Sequence, residues 1–316
     1  MPESSSQPER RHLLSIGDLD RGDVERILET ARALDGVEGK LPTLAGRLVI
    51  TLFYESSTRT SASFELAAKR LSADTLPIRS AGSSVDKGES LKDTVLTLAA
   101  YEPAAIVVRH PQVGSAQLVA KHLVTADSGA TVVNAGDGTH QHPTQALLDL
   151  YAMEQALGRL EGLHVAIVGD VLHSRVARSL VQALGLVGAS VVLVGPPALV
   201  PRGLAERSME ISAIESADVV YVLRMQRERM LAGANYVPSL REYTARWGIT
   251  PERLRPGQKV MHPGPINRGV ELDGRVADSA DSLVVEQVRA GLVVRMAVLH
   301  DLLAQGVPAG EIAGVA

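Results

Sequence analysis

Ser57, Thr58, Arg59 and Thr60 stand in a row where an apolar, β-branched stretch, Gly46–Tyr54, gives way to SFELAAKRL. The first stretch predicts a strand buried on both faces. In the second, Phe64, Ala67, Ala68 and Leu71 recur at helical spacing and predict one apolar helix face. Such a junction leaves backbone N–H groups without intrahelical partners and carries the positive end of the helix dipole. Three hydroxyls and a guanidinium there suit a phosphate-like dianion. The competing reading is an ordinary Ser/Thr helix cap. A cap needs one hydroxyl and explains neither the run of them nor the arginine.

Five further polar clusters fall where α/β proteins keep their chemistry, in loops after strands. SSVDKGESLKDT (Ser83–Thr94) carries Lys87 and, taken alone, reads as a solvated turn before a helix. In VVRHPQ, Arg109 and His110 leave an apolar strand directly, which is costly unless the arginine reaches water or an anion. NAGDGTHQHPTQ (Asn134–Gln145) is the densest cluster, with Pro143 starting a helix just after His142. The helix dipole disfavours a protonated His142, which leaves a neutral ring able to donate one hydrogen bond to a carbonyl. Metal binding by His140 and His142 is the lesser reading, because no acidic third ligand stands at a fixed offset. Arg175 and Arg224 each follow a buried strand, and two converging forks would suit a dicarboxylate; a surface salt bridge is the alternative. In HPGPINRG (His262–Gly269) two prolines flank Gly264 and remove donors, leaving carbonyls that accept from an amide or carbamoyl NH₂.

The elements that position these residues alternate. Strands are predicted at Gly46–Tyr54, Ala73–Ile78, Ala104–Arg109, Thr131–Asn134, His164–Asp170, Ser190–Pro196 and Asp218–Leu223. Helices are predicted at Asp18–Leu34, Thr60–Leu71, Leu91–Ala100, Ser115–His122, Pro143–Leu157, Ser174–Leu186 and Ser282–Leu303. The alternation argues for α/β layers with mainly parallel sheets. The βαβ pattern from His164 invites a dinucleotide reading. Its turn, GDVLHSR, holds one glycine where that fingerprint needs three, and no acid follows about 20 residues on.

The 316 residues suffice for two domains. A net charge of −4 gives no footprint for nucleic acid, and the absence of cysteine excludes disulfides, thiolate metal sites and a cysteine nucleophile. No apolar run reaches membrane-spanning length, and MPESSSQPERR reads as a disordered tail without a signal peptide's apolar centre, so a cytoplasmic protein is expected.

STRT (Ser57–Thr60), RHPQ (Arg109–Gln112), HPTQ (His142–Gln145) and HPGP (His262–Pro265) occur in that order. With them the chain resembles the aspartate/ornithine carbamoyltransferase family from about Ser15 to Leu303. Ornithine-specific members typically carry a cysteine in an HCLP motif where HPGP stands here; the Lys87 loop and RMQRER (Arg224–Arg229) look like the aspartate branch. Lys87, Arg175 and Arg224 would attract aspartate's carboxylates and repel ornithine's ammonium.

The resemblance implies two doubly wound α/β domains with the active site in the cleft between them. Residues 1–145 would bind carbamoyl phosphate and 146–290 aspartate, with a C-terminal helix (291–316) packing back on the first domain. The implied reaction joins carbamoyl phosphate and L-aspartate to give N-carbamoyl-L-aspartate and phosphate, in pyrimidine synthesis, without metal or cofactor. By the same resemblance Ser57, Thr58, Arg59, Thr60 and Arg109 hold the phosphate. Thr60, Arg109 and His142 polarise the carbamoyl carbonyl, while Gln145 and the carbonyls of Gly264 and Pro265 hold its NH₂. Arg175, Arg224 and Gln226 bind aspartate. Ser83 and Lys87 reach in from a neighbouring subunit of a homotrimer, and Glu55 bridges to Arg175 and Arg229 between domains. Gly264 departs from the Leu of many relatives, and Asp86 stands where some have a second basic residue. The resemblance leaves open whether a regulatory or dihydroorotase chain associates. A transcarbamoylase for another amine, a silent homologue and a phosphate carrier are the alternatives.

Overall fold

The computed structural model describes residues 12–79, 88–226 and 239–304. Ser83, Lys87, Asp86, Arg229, the tail before His12 and residues 305–316 lie outside the described residues.

Two parallel sheets organise the chain. The first has the order β2-β1-β3-β4, built from β1 (Leu48–Phe53), β2 (Asp74–Arg79), β3 (Ala105–His110) and β4 (Thr131–Asp137). Its helices are α1 (Arg21–Leu34), α2 (Thr58–Arg70), α3 (Leu91–Ala99) and α4 (Ser115–Thr125). A long helix, α5 (Pro143–Leu157), leads to the second sheet, and position 145 lies inside it. The second sheet has the order β7-β6-β5-β8-β9. Its strands are β5 (His164–Val168), β6 (Ser190–Val194), β7 (Glu206–Ser208), β8 (Val219–Val222) and β9 (Lys259–Met261). Its helices are α6 (Arg175–Leu186), α7 (Leu240–Trp247) and the single-turn α8 (Gly274–Ala277). The chain then runs into α9 (Val284–Leu303), which packs against α1, α2 and α5.

β1, β3 and β4 are almost wholly buried, with apolar residues through most of their length and polar ones gathered toward the carboxyl ends of β3 and β4. Phe64, Ala67, Ala68 and Leu71 form the buried face of α2 and its C-terminal cap, each fully enclosed. Each large side chain so enclosed contributes about 1.5–3 kcal/mol. The final helix, predicted at Ser282–Leu303, spans Val284–Leu303 and buries Ala290, Val293, Val294, Ala297 and Val298 along one face.

The sheet orders fix where a ligand can sit. Strand order reverses between β1 and β3 in the first sheet, and around β5 with its neighbours β6 and β8 in the second. Ligands of open α/β sheets bind at the carboxyl ends of strands beside such reversals. At the carboxyl ends of β1, β3, β4, β5, β8 and β9, in the last strand residues, the following loops or the first turns of the next helices, stand Glu55–Thr60, Arg109–His110, His142–Gln145, Arg175, Arg224–Gln226 and His262–Pro265 respectively.

Candidate active site

All six loops open on one cavity of about 970 Å³ lying between the two sheets. From the first unit Glu55, Ser57, Thr58, Arg59, Thr60, Arg109, His142 and Gln145 line it. From the second come Arg175, Arg224, Gln226, Gly264 and Pro265. Every residue that the family resemblance places in the site and that lies within the described chain lines this same space. His140 does not: its Nδ1 lies 3.0 Å from Asp137 Oδ2, so the two histidines of the HQH run part company.

The start of α2 decides between anion site and cap. Ser57 occupies the N-cap position, yet its side chain makes no capping hydrogen bond. α1, α3, α6 and α7 are by contrast closed by Asp20, Ser90, Ser174 and Ser239, each accepting from a first-turn N–H. The α2 terminus is thus left with its orphan donors directed into the cavity. α5 begins in the same way, with His142 as an N-cap that makes no side-chain cap bond.

Glu55 ties the two units together. Its Oε2 accepts from Arg175 Nη2 at 2.6 Å and lies 3.3 Å from Arg109 Nε. Arg109 Nη1 also donates to the carbonyl of Ala135 at 3.1 Å, which aims the guanidinium across the floor. Gly136 is what lets these cations approach. Its φ is +117°, and a Cβ there would lie 3.0 Å from Arg175 Cζ and 3.1 Å from Arg109 Nη1. On the far wall, Gly264 adopts φ +62°, where a Cβ would meet Arg59 Nη2 at 2.6 Å. Glycine at position 264 thus lets the Arg59 guanidinium lie against the backbone.

His142 is neutral. Burial pushes its pKa well below the ordinary value, and the nearby charges of Arg109, Arg175 and Arg295 push it further the same way. Desolvation, rather than the helix dipole, is the leading cause. Its backbone N–H donates to Ser179 Oγ at 2.8 Å, which fixes the main chain at the start of α5.

The loop after β9 has a device that the prolines alone did not suggest. The Gly264 N–H donates to His262 Nδ1 at 2.8 Å, so the donor between the two prolines is consumed. The other ring nitrogen of His262 lies 3.3 Å from Glu271 Oε1, both side chains being fully buried. Glu271 Oε1 also accepts from the Asn267 N–H at 2.6 Å.

Sequence reasoning missed a buried cluster behind Gln145. Asp149 is fully enclosed and accepts from Gln145 Nε2 at 3.0 Å, Gln287 Nε2 at 2.7 Å and Tyr221 Oη at 2.7 Å. Desolvation raises its pKa to about 7, while those donors and the charge of Arg295 oppose the rise. Arg295 also lines the cavity, stacks 5.1 Å from the Phe64 ring, and has its pKa lowered by burial to about 10. An acid inside the apolar run of α5, four residues after Gln145, was the available signal.

What this arrangement can do is narrow. Guanidinium groups and an open helix terminus bind a dianion, a neutral imidazole donates to an oxygen, and backbone carbonyls accept from an NH₂. Comparison with known proteins agrees. Residues 11–155 match the family model described as aspartate/ornithine carbamoyltransferase, carbamoyl-P binding domain. Residues 161–302 match its Asp/Orn binding domain. The aspartate carbamoyltransferase catalytic subunit of Salinispora arenicola is 54% identical over 308 residues, 93% of this chain and 98% of that one. That of Mycobacterium tuberculosis is 50% identical over 314 residues, covering 95% and 98%. Among solved structures, Trypanosoma cruzi aspartate transcarbamoylase with N-(phosphonacetyl)-L-aspartic acid superposes with TM-score 0.82 at 29% identity, covering 93% of this chain and 96% of that one. The catalytic subunit of the M. Jannaschii enzyme gives 0.81 at 34% identity, covering 93% and 98%. On motif order, sheet topology, cavity and sequence alike, the chain belongs to the aspartate/ornithine carbamoyltransferase family.

Proposed function

We propose that this chain is the catalytic chain of an aspartate carbamoyltransferase, joining carbamoyl phosphate and L-aspartate into N-carbamoyl-L-aspartate with release of phosphate. The observation that carries the reading is the one cavity lined together by Arg59, the uncapped start of α2, a neutral His142, Arg175 and Arg224. One side offers donors for a phosphate, the other two forks for two carboxylates.

In this reading Ser57, Thr58, Arg59, Thr60 and Arg109 hold the phosphate. Thr60, Arg109 and His142 donate to the carbamoyl oxygen. Gln145 and the carbonyls of Gly264 and Pro265 accept from the carbamoyl NH₂. Arg175, Arg224 and Gln226 hold aspartate, the last steadied by its backbone N–H donating to the buried Asp170 at 3.2 Å. The neutral amine of aspartate attacks the carbamoyl carbon, and negative charge collects on the former carbonyl oxygen. Preorganised donors stabilise that oxyanion by about 2.7–4 kcal/mol each. Phosphate then leaves and takes the amine's proton, so no side-chain base is required. Holding both substrates in one orientation supplies much of the remaining acceleration.

The finer assignments rest on family likeness. The chain acts as a homotrimer in the cytoplasm, with Ser83 and Lys87 of one subunit completing the site of its neighbour. The working division is 1–145 for carbamoyl phosphate and 146–290 for aspartate, with the C-terminal helix returning to the first. Glu55 closes the units through Arg175 and Arg229. A carbamoyl-aspartate assay on the purified protein, run with aspartate and ornithine in parallel, tests the reading. Product with aspartate alone is expected; product with ornithine, or with neither, overturns it.

A further inference from the structure

The carbamoyl NH₂ is a donor, so every group meant to hold it must present an oxygen. A glutamine presents either end of its amide, and nothing in the residue itself chooses between them. At Gln145 the choice is made by a buried neighbour. Asp149 Oδ1 accepts from Gln145 Nε2 at 3.0 Å, and an ionised carboxylate can only accept. The amide nitrogen of Gln145 is thereby turned away from the cavity that the residue lines, and its oxygen is the end left to face substrate. The same carboxylate oxygen accepts from Gln287 Nε2 at 2.7 Å. That fixes the Gln287 oxygen toward the backbone N–H of His262, 3.0 Å away, at the root of the loop bearing Gly264 and Pro265. Both arms that accept from the substrate's NH₂ therefore trace back to one side chain that itself has no access to the cavity.

We propose that Asp149 is a positioning residue that sets the polarity of the amide-recognition wall, holding Gln145 and Gln287 by their NH₂ ends so that the site selects a carbamoyl NH₂ over a methyl group. This rests on the transferase reading given above and deepens it. The burial of Asp149 is otherwise hard to account for, since an enclosed carboxylate is costly even with three donors. A Leu or Met at this helix position would pack without that cost.

The test separates recognition of the NH₂ from recognition of everything else. Phosphonoacetamide and acetonylphosphonate are stable mimics of similar shape and identical charge, one ending in NH₂ and the other in CH₃. Both are titrated into wild type and Asp149→Leu by calorimetry. Both glutamine amides bond to the same Asp149 oxygen, Oδ1, and leucine fills about the same space with no accepting oxygen, so both amides lose their restraint. The expected result is loss of about tenfold or more in affinity for phosphonoacetamide, with acetonylphosphonate changed by less than about twofold. Equal losses for both ligands, or none for either, overturn the proposal.

Wild type supplies a second measurement that needs no variant. Asp149 faces Gln145 on its own helix, Tyr221 from β8, and Gln287 and Arg295 from α9. Of these Tyr221 remains a neutral donor, its own pKa raised well above the usual value by burial and by Asp149. Arg295 remains cationic below pH 8, since its lowered pKa is about 10. Between pH 8 and pH 6 Asp149 is the member of this set that takes up a proton, its pKa being about 7. Protonation replaces an acceptor by a donor, so the preference for phosphonoacetamide over acetonylphosphonate should fall as pH falls across this window. The ratio cancels ionisation of the phosphonate and of His142. A ratio flat from pH 6 to 8 counts against the proposal, as does one that rises on acidification. Binding of neither phosphonate by wild type would overturn the transferase reading itself and this inference with it; binding of both with an unmoved ratio would overturn this inference alone.

Discussion

Arg59, Arg109, Arg175 and Arg224 line a cavity that also holds a histidine, and such a gathering of cations is tolerable only with compensation. Glu55 supplies part of it for Arg175 and Arg109 at 2.6 and 3.3 Å. In the proposed reaction the anionic substrates add further compensation for this positive charge. Because His142 stays neutral through physiological pH, it donates without adding to the repulsion. Arg59→Ala and Arg109→Ala should each lower kcat/KM for carbamoyl phosphate by two or more orders of magnitude, in keeping with about 2.7–4 kcal/mol for one lost donor. Thermal unfolding should stay near wild type, because removing a cation from this cluster relieves repulsion. Near-normal turnover in either variant would remove that arginine from the mechanism. Glu55→Ala should act differently: it leaves Arg175, 5% exposed, without its counter-ion, so KM for aspartate should rise about tenfold while phosphate affinity moves less. Steady-state kinetics with each substrate varied in turn distinguishes these two patterns.

At the scale of elements, the uncapped start of α2 is the telling feature. Among the described helices α1, α3, α6, α7 and α8 spend a side chain on a first-turn N–H group, and α2 does not. Ser57→Asp should cap the helix and complement its dipole, adding about 0.5–1 kcal/mol to the unliganded protein. The same carboxylate should repel a phosphate dianion, weakening phosphonoacetamide by tenfold or more. Stability rising while affinity falls is the expected pair of results from a thermal melt and a titration; unchanged affinity would mean that the terminus is not the phosphate seat. The elements carrying this and the other motif loops were legible because their signals are local. An apolar run followed by a helix start marks β1–α2, β4–α5 and β5–α6. β7 and β9 were not legible, being three residues long and lying at the edges of their sheet. α7 offers only Tyr243 and Trp247 as buried periodic positions, too few to set a helical period apart. Asp149 was illegible for another reason. Its partners Tyr221 and Gln287 stand 72 and 138 residues away, so its place in an apolar run marks an unusual acid without showing what it meets.

Taken whole, the molecule buries its titratable groups with a definite sign. His110, His142, His262 and His300 all have pKa values lowered, in each case chiefly by burial. Unfolded, each would take a proton near pH 6.5. Below that pH the unfolded chain therefore binds more protons than the folded one, and stability is lost as pH falls. Asp149 works in the opposite sense. Its pKa is raised to about 7, so the folded chain holds a proton between roughly pH 4 and 7 that the unfolded chain releases, and stability is gained as pH falls through 7. Between pH 7.5 and 6.5 the two effects oppose each other, and the melting temperature should change little. Below pH 6.5 four histidines outweigh one aspartate. The protein should melt on the order of 5 °C lower at pH 5.5 than at pH 7.5, at fixed protein concentration. Asp149→Asn should steepen that fall by removing the opposing group, and His262→Asn should shallow it. Scanning calorimetry of the three proteins across this range checks the sign directly, and a melting temperature that holds or rises on acidification would mean that the buried imidazoles accept protons in the folded state.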